Sequence, residues 1–188
     1  VAAAFTAGAV LFSAMAAHAI AMLQASGLPT SRAVAIAALI GPAQVAGRVL
    51  EVVGLSRVRP SRLAVAAAAG QPLAVAALMA AGGRPWLALL AILLYGASGG
   101  ILTIVRGTLP AELFGREGYG AIAGALAAPA IAGRAAGPVL AAALVEHAGG
   151  AWAPVQALLV GLGLVAVLGF AAAAKAAPAG RHPSRGSL

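Results

Sequence analysis

The chain lacks cysteine, aspartate and asparagine altogether, and only 9% of its residues are charged. Without cysteine, neither disulfide nor thiolate chemistry is possible. Without asparagine there is no N-glycosylation site, and without aspartate every metal motif built on paired aspartates is excluded. The four glutamates and three histidines are scattered along the sequence, whereas an enzyme needs acids, bases and nucleophiles gathered at one site. We therefore expect no enzyme activity, no cofactor and no metal site.

Apolar residues take the place of the missing polar ones and make up 62% of the 188 positions. They fall in six stretches of about twenty residues, the length that crosses the hydrocarbon core of a bilayer as a helix. The stretches, called segments one to six below, run over 3–24, 33–54, 62–81, 86–105, 120–145 and 151–174. A soluble domain carries about a quarter charged residues. The sequence therefore predicts an all-α membrane protein with six transmembrane helices in residues 1–175, and a disordered polar tail over 176–188.

The basic residues are distributed unevenly between the two sets of breaks that separate the segments. The breaks after segments two and four and the tail hold eight: Arg57, Arg59, Arg62, Arg106, Arg116, Lys175, Arg181 and Arg185. The opposite breaks hold only two, Arg32 and Arg84. Because cytoplasmic loops are enriched in Lys and Arg, both termini are predicted to be cytoplasmic. The basic residues are not interleaved with aromatics, so we expect the lipid bilayer, and not nucleic acid, to be their partner.

Eleven of the twelve basic residues are arginine, and alanine and glycine are abundant. This bias suggests a GC-rich bacterial genome, and hence a multi-pass protein of the bacterial inner membrane. The first residue is Val1, not methionine, and we expect the chain to be a piece of a longer protein.

Two arginines lie inside the apolar segments, where charge is costly and is usually paired or functional. Arg48 lies in segment two, four residues after Gln44 and on the same helix face. It is close enough to the cytoplasmic end to snorkel or to pair with Glu51, and we prefer that structural interpretation. Arg134 lies near the middle of segment five. Either a structural role or the binding of an anionic substrate or a titrating acid fits its position.

Three of the other polar side chains within the apolar segments are candidates for a functional role. His18 in segment one is a candidate for proton coupling, although helix packing is the commoner role of a lone histidine in a helix. In segment four, Tyr95 precedes a run of small residues that includes Ser98. Small residues let helices approach closely or flex beside a cavity.

A short motif recurs in segments two and five. Pro42–Arg48 reads PAQVAGR and Pro129–Arg134 reads PAIAGR, with one residue deleted. Since segments two and five cross the membrane in opposite directions, the recurrence predicts two three-helix units related as an inverted repeat. Inverted repeats are common in secondary transporters.

The segments, the charges and the repeat together resemble one half of a major facilitator superfamily transporter. At the end of segment two, Gly47, Glu51 and Gly54 match the family's loop motif, with Arg57 and Arg59 slightly late. The motif's first arginine is replaced by Val52, and its basic pair by Leu55 and Ser56. The resemblance implies that these residues lock the cytoplasmic side and govern the switch between transport states.

Segment five is similar to the antiporter motif of drug-efflux members of that family. Gly124, Gly133, Gly137 and Pro138 fall at the motif's spacing, whereas its closing glycine pair is Ala141-Ala142. Two features favour the carboxy-terminal half: the degraded loop motif, and the stretch Tyr95–Gly118, which looks like the family's tenth helix and the loop that follows it.

The resemblance implies a secondary active transporter that works by alternating access and moves a small organic solute, with proton coupling and with efflux slightly favoured. Segments one and four would line the cavity and offer His18, Tyr95 and Ser98. Segments two and five would bring Gln44, Arg48 and Arg134 to the missing other half of the transporter. The alternatives are a non-transport membrane scaffold or assembly subunit, and, less favoured, a membrane-embedded enzyme.

Overall fold

The structure is a computed structural model and describes residues 1–176. In this range it is helical, with short turns and no strand. The helices are α1 (Ala2–Ala25), α2 (Thr30–Ala37), α3 (Ile40–Leu50), α4 (Pro60–Met79), α5 (Pro85–Phe114), α6 (Tyr119–His147) and α7 (Ala153–Ala176). The second span combines α2, α3 and a π-helical turn over Glu51–Leu55. The described residues thus form six helical spans that are long and apolar enough to cross a membrane, as a multi-pass membrane protein requires.

The predicted segments match the six spans, with two differences. Segment two is not one uninterrupted helix, because it turns at Ala38–Leu39 and ends in the π-helical turn. Segment four continues as helix nine residues past its predicted end at residue 105, to Phe114. The predicted tail lies outside the described residues except for Ala176, which ends α7.

The extension of α5 is held by two polar contacts at its end. The Glu112 carboxylate accepts hydrogen bonds from the backbone N–H of Ser61 at 2.7 Å and from its hydroxyl at 2.9 Å. The Tyr119 hydroxyl donates to the Gly107 carbonyl at 2.7 Å. Ser61 lies in the first turn of α4, whose free N–H groups and positive dipole end favour a carboxylate. Helix α5 therefore continues past its apolar run because other elements hold its end.

The helices pack in a definite pattern. α1 contacts mainly α6 and α7, α5 contacts mainly α4 and α3, and α4 also packs along α7. The core lies between α1, α4, α5 and α7, and Tyr95 is its largest fully buried side chain. α3 and α6 lie at the outside of the bundle and keep large apolar side chains exposed, including Val45, Val49, Ile131 and Val139.

Candidate functional site

A cleft between α1 and α5 is the place where charge, aromatic rings and open space meet. We call it the α1–α5 cleft. Its lining residues are Ala4, Phe5, Gly8, Ala9, Phe12, Gly99, Leu102, Thr103, Arg106, Arg134 and Phe170. The recess has a volume of about 40 Å³, which is room for about three water-sized groups. Both arginines that line it are exposed on the surface of the six-helix unit.

Arg134 is positioned by an aromatic stack. Its guanidinium carbon lies 5.3 Å from the centre of the Phe12 ring, within the range of a cation–π interaction. The Phe12 ring also stacks on Tyr95, with ring centres 5.0 Å apart and planes at 17°. The Tyr95 hydroxyl donates to the Phe12 carbonyl at 2.5 Å. Helices α6, α1 and α5 thus meet through Arg134, Phe12 and Tyr95.

Glycine is required at position 99 because the Phe12 ring lies against its α-carbon. A Cβ atom at this position would overlap the edge of the Phe12 ring and lie 3.1 Å from its Cδ2. Because Gly99 has no side chain, the Phe12 ring has room to lie against α5 while it contacts Arg134 and Tyr95. The sequence pointed to Arg134 and Tyr95 but not to Phe12, because one more aromatic residue in an apolar segment has no distinguishing pattern.

Arg106 lines the same cleft from α5. It was assigned to the break after segment four, because the apolar run ends at residue 105; in the structure it lies within a helix, eight residues before Phe114. Its spacing carried a usable signal. Leu102, Thr103 and Arg106 fall three and four residues apart, which places them on one face of a continuous helix.

His18, Tyr95 and Ser98 were expected to be offered to a cavity, and none of the three lines the α1–α5 cleft. The His18 Nε2 atom lies 3.0 Å from the Pro138 carbonyl, to which it donates, and the His18 ring packs on Trp152 with centres 5.2 Å apart. Ser98 is buried against Gly70. Tyr95 does not line the cleft itself, but it stacks on the Phe12 ring, which does.

The residues of the loop motif lie on α3 and just after it. Gly47 meets the backbone of Ala97 on α5, and the backbone of Gln44 meets Gly100. Arg48, next to Gly47, is exposed, as are Arg57 and Arg59 in the turn beyond the π-helical stretch. Glu51 begins that stretch and Gly54 lies within it. π-helical turns inside helices are frequent at functional sites.

The residues of the antiporter-like motif lie on α6 and differ in their surroundings. Gly133 lies against Thr6 and Val10 of α1, and Gly137 against Val10 and Ser13. Pro138 supplies the carbonyl that His18 bonds. Gly124 faces open space, with no atom within 4 Å of an added Cβ. Two of the three motif glycines therefore serve the packing of α6 on α1.

Comparisons with models of known protein families, with curated proteins and with solved structures found no match to this chain. Within residues 1–176, no three His, Cys, Asp or Glu side chains come together as a metal site would require. The geometry of the α1–α5 cleft is therefore the basis for a functional proposal.

Proposed function

We propose that this chain is a six-helix half of a secondary transporter of the major facilitator type. One observation carries the proposal: Arg134 lies near the middle of a membrane-length helix and is exposed on an open cleft. A charge at that depth is costly against lipid and almost always faces a water-filled cavity or another protein surface. A substrate pathway between this six-helix unit and a second half would give Arg134 both a water-filled cavity and a protein surface to face.

The packing pattern supports an inverted repeat of three plus three helices. In such a repeat, α1 is equivalent to α5, the second span to α6, and α4 to α7. Each main contact between helices then has an equivalent that is also a main contact. The contact of α1 with α6 becomes that of α5 with α3, and the contact of α1 with α7 becomes that of α5 with α4. The contact of α4 with α7 maps onto itself.

The recurring motif supports the same relation. Gly47 and Gly133 occupy equivalent positions in its two copies. Each packs against the first helix of the other three-helix unit, Gly47 on Ala97 of α5 and Gly133 on Thr6 and Val10 of α1. Equivalent glycines at equivalent helix contacts are expected if the two units share one architecture.

The exposed faces of α3 and α6 favour a partner half over a self-sufficient bundle. Val53 is 79% exposed on the second span and Val139 is 68% exposed on α6, and Arg48 and Arg134 are exposed on these same two spans. In the proposed transporter the two spans meet the other half. The chain on its own would then be inactive. Proton coupling and efflux of a small organic solute complete the proposal.

We also propose that the protein lies in a bacterial inner membrane with both termini in the cytoplasm. Because these 188 residues contain no cysteine, single cysteines introduced into the chain report its topology without background. Ser56→Cys and Glu117→Cys should react with a membrane-impermeant maleimide only after the cells are permeabilised. Ala80→Cys and Ala151→Cys, in the opposite turns, should react in intact cells. All four positions are exposed in the structure. The reverse labelling pattern would contradict the proposed orientation.

Alternating access can be tested without knowing the substrate. Ala16 follows Phe12 by four residues, so it lies on the same helix face, and it is exposed towards the external end of α1. Thr103 lines the cleft towards the cytoplasmic end of α5. In a full-length Ala16→Cys/Thr103→Cys variant, a bulky maleimide attached from outside should hold the external side open. The rate of labelling at residue 103 from the cytoplasmic side should then fall several-fold.

The matched control carries Ala80→Cys in place of Ala16→Cys, because Ala80 is exposed on the same side but lies in the turn after α4 and not on the helix face of Phe12. Labelling at residue 80 should leave the rate at residue 103 unchanged. A scaffold or assembly subunit has no second state to be trapped. Equal rates at residue 103 in both variants would therefore favour that alternative over a transporter.

A further inference from the structure

We propose that the α1–α5 cleft binds an organic anion, namely a carboxylate joined to an apolar group. The proposal rests on the proposed function, because it names the substrate class of that same cleft. Two arginines, Arg106 and Arg134, line the cleft, and none of the other residues that line it is acidic. The positive charges therefore have no partner in the walls of the cleft.

The charge balance inside the cleft favours an anion over every other class of ligand. Two guanidinium groups facing one recess repel each other, and the repulsion is stronger near a membrane interior than in water. A bound carboxylate offsets both charges, and each guanidinium presents several N–H donors in a planar fork that suits carboxylate oxygens. A cation would add to the repulsion, and a neutral solute would leave it unchanged.

Glu112, which follows Arg106 on the same helix, is occupied elsewhere. Its two carboxylate oxygens accept hydrogen bonds from the N–H and the hydroxyl of Ser61. Both bonds hold it at the start of α4 and away from the cleft. The cleft therefore contains no acid of its own that balances the arginines, and a bound substrate could supply one.

The size and the walls of the recess suggest what carries the negative charge. The recess of about 40 Å³ has room for about three water-sized groups, which suits a small charged group such as a carboxylate. The walls beside it are apolar, with Leu102 and the edge-to-face pair of Phe5 and Phe170, whose ring centres are 5.0 Å apart. An apolar group attached to the carboxylate would rest on these side chains and on the open face of the cleft.

The Arg134 guanidinium is already oriented for anion binding in the absence of a ligand. The Phe12 ring holds its guanidinium, and Phe12 is in turn held by Tyr95 and by the space at Gly99. A group that is already oriented loses less conformational freedom on binding, and this raises affinity. Thr103 is also fixed, because its hydroxyl donates to the Gly99 carbonyl at 2.9 Å.

The test compares two probes of nearly the same shape, para-fluorobenzoate and its neutral analogue para-fluorobenzamide. The purified 188-residue chain in nanodiscs of phosphatidylcholine is titrated with each probe, and binding is followed by fluorine NMR, with empty nanodiscs as the blank. We expect the benzoate to bind about tenfold or more tightly than the benzamide, since a hydrogen bond to a charged group contributes about 1.5–3 kcal/mol. Arg106→Gln and Arg134→Gln should each remove most of this preference.

Arg32→Gln is the matched control, because Arg32 is an exposed arginine in a different part of the bundle. It should keep the full preference for the benzoate, and Arg134→Lys should keep part of it. A second set of nanodiscs contains phosphatidylglycerol, which tests whether a lipid headgroup is the natural anion. Benzoate affinity that is unchanged by this lipid supports a soluble solute, whereas displacement by the lipid would overturn that assignment.

Equal affinity of the natural chain for the two probes would overturn the anion proposal, as would an anion preference that survives both glutamine substitutions. The measurement is at equilibrium and needs no transport. Anion binding without alternating access would refute the transporter proposal alone, and alternating access without anion preference would refute the anion site alone.

Discussion

Replacing Gly47 with alanine is expected to push α3 away from α5 and to destabilise the bundle severely. The new Cβ atom would overlap the carbonyl oxygen of Ala97 and lie 2.8 Å from its Cα and carbonyl carbon. These are backbone atoms inside a helix, so relief requires two whole helices to separate. Overpacking of this kind costs about 1–3 kcal/mol and occasionally more, and we expect a value near the upper end. The measurement is thermal unfolding in detergent, followed by tryptophan fluorescence.

Gly41→Ala is the control for this experiment. Gly41 belongs to the same helix, and no atom lies within 4 Å of a Cβ added there. Alanine also has the higher helix propensity, by about 1 kcal/mol, so Gly41→Ala should leave the melting temperature unchanged or raise it slightly. If the two variants melt together, α3 and α5 do not approach as closely as described.

If the chain belongs to the proposed transporter, replacing Arg134 with alanine is expected to reduce transport by the full-length protein strongly while leaving its insertion in the membrane intact. The substitution removes the guanidinium that Phe12 orients towards the cleft. It also makes α6 more apolar, so insertion is not impaired. If the residue holds a charged substrate, the loss should be about tenfold to a hundredfold in transport rate. The assay is saturable flux of labelled small organic solutes in reconstituted vesicles, with alkaline extraction of membranes as the test of insertion.

Two further variants separate the charge of Arg134 from its shape. Arg134→Lys keeps a cation over Phe12 and should retain part of the flux, whereas Arg32→Ala, outside the cleft, should retain all of it. Unchanged flux in Arg134→Ala would remove this residue from the transport pathway and leave it a structural role in the packing of α6 beside α1.

The sequence predicted the number and approximate bounds of the spans well because each depends on local composition. Twenty apolar residues without charge favour a membrane-spanning helix whatever surrounds them. The prediction was wrong at the end of segment four, where polar residues follow the apolar run. Helix α5 continues there because Glu112 and Tyr119 make hydrogen bonds to distant or neighbouring elements, and hydropathy contains no information about such contacts.

The candidate site was predicted only in part. Arg134 was identified because a charge inside an apolar segment is conspicuous. The structure adds Phe12 and Arg106 around it and places His18 and Ser98 in helix contacts instead. Phe12 could not be recognised from its own neighbours in the chain, and the spacing of Arg106 from Leu102 and Thr103 is informative only if the helix continues past residue 105. Phe12 belongs to the candidate site because α6 places Arg134 over its ring. Arg106 belongs to it because α5 remains helical past residue 105 and places Arg106 in the cleft beside α1.

By itself, the sequence determined that residues 1–176 form six long apolar spans, since a bilayer leaves a backbone few ways to satisfy its hydrogen bonds and helix formation depends on the local sequence. Only the tertiary structure decided which charges share a cleft and which surfaces stay open. That decision depends on how closely helices approach, and the approach is set by bare glycines such as Gly47, Gly99 and Gly137 meeting atoms of other helices. Steric fit between distant residues leaves no periodic signal along the chain.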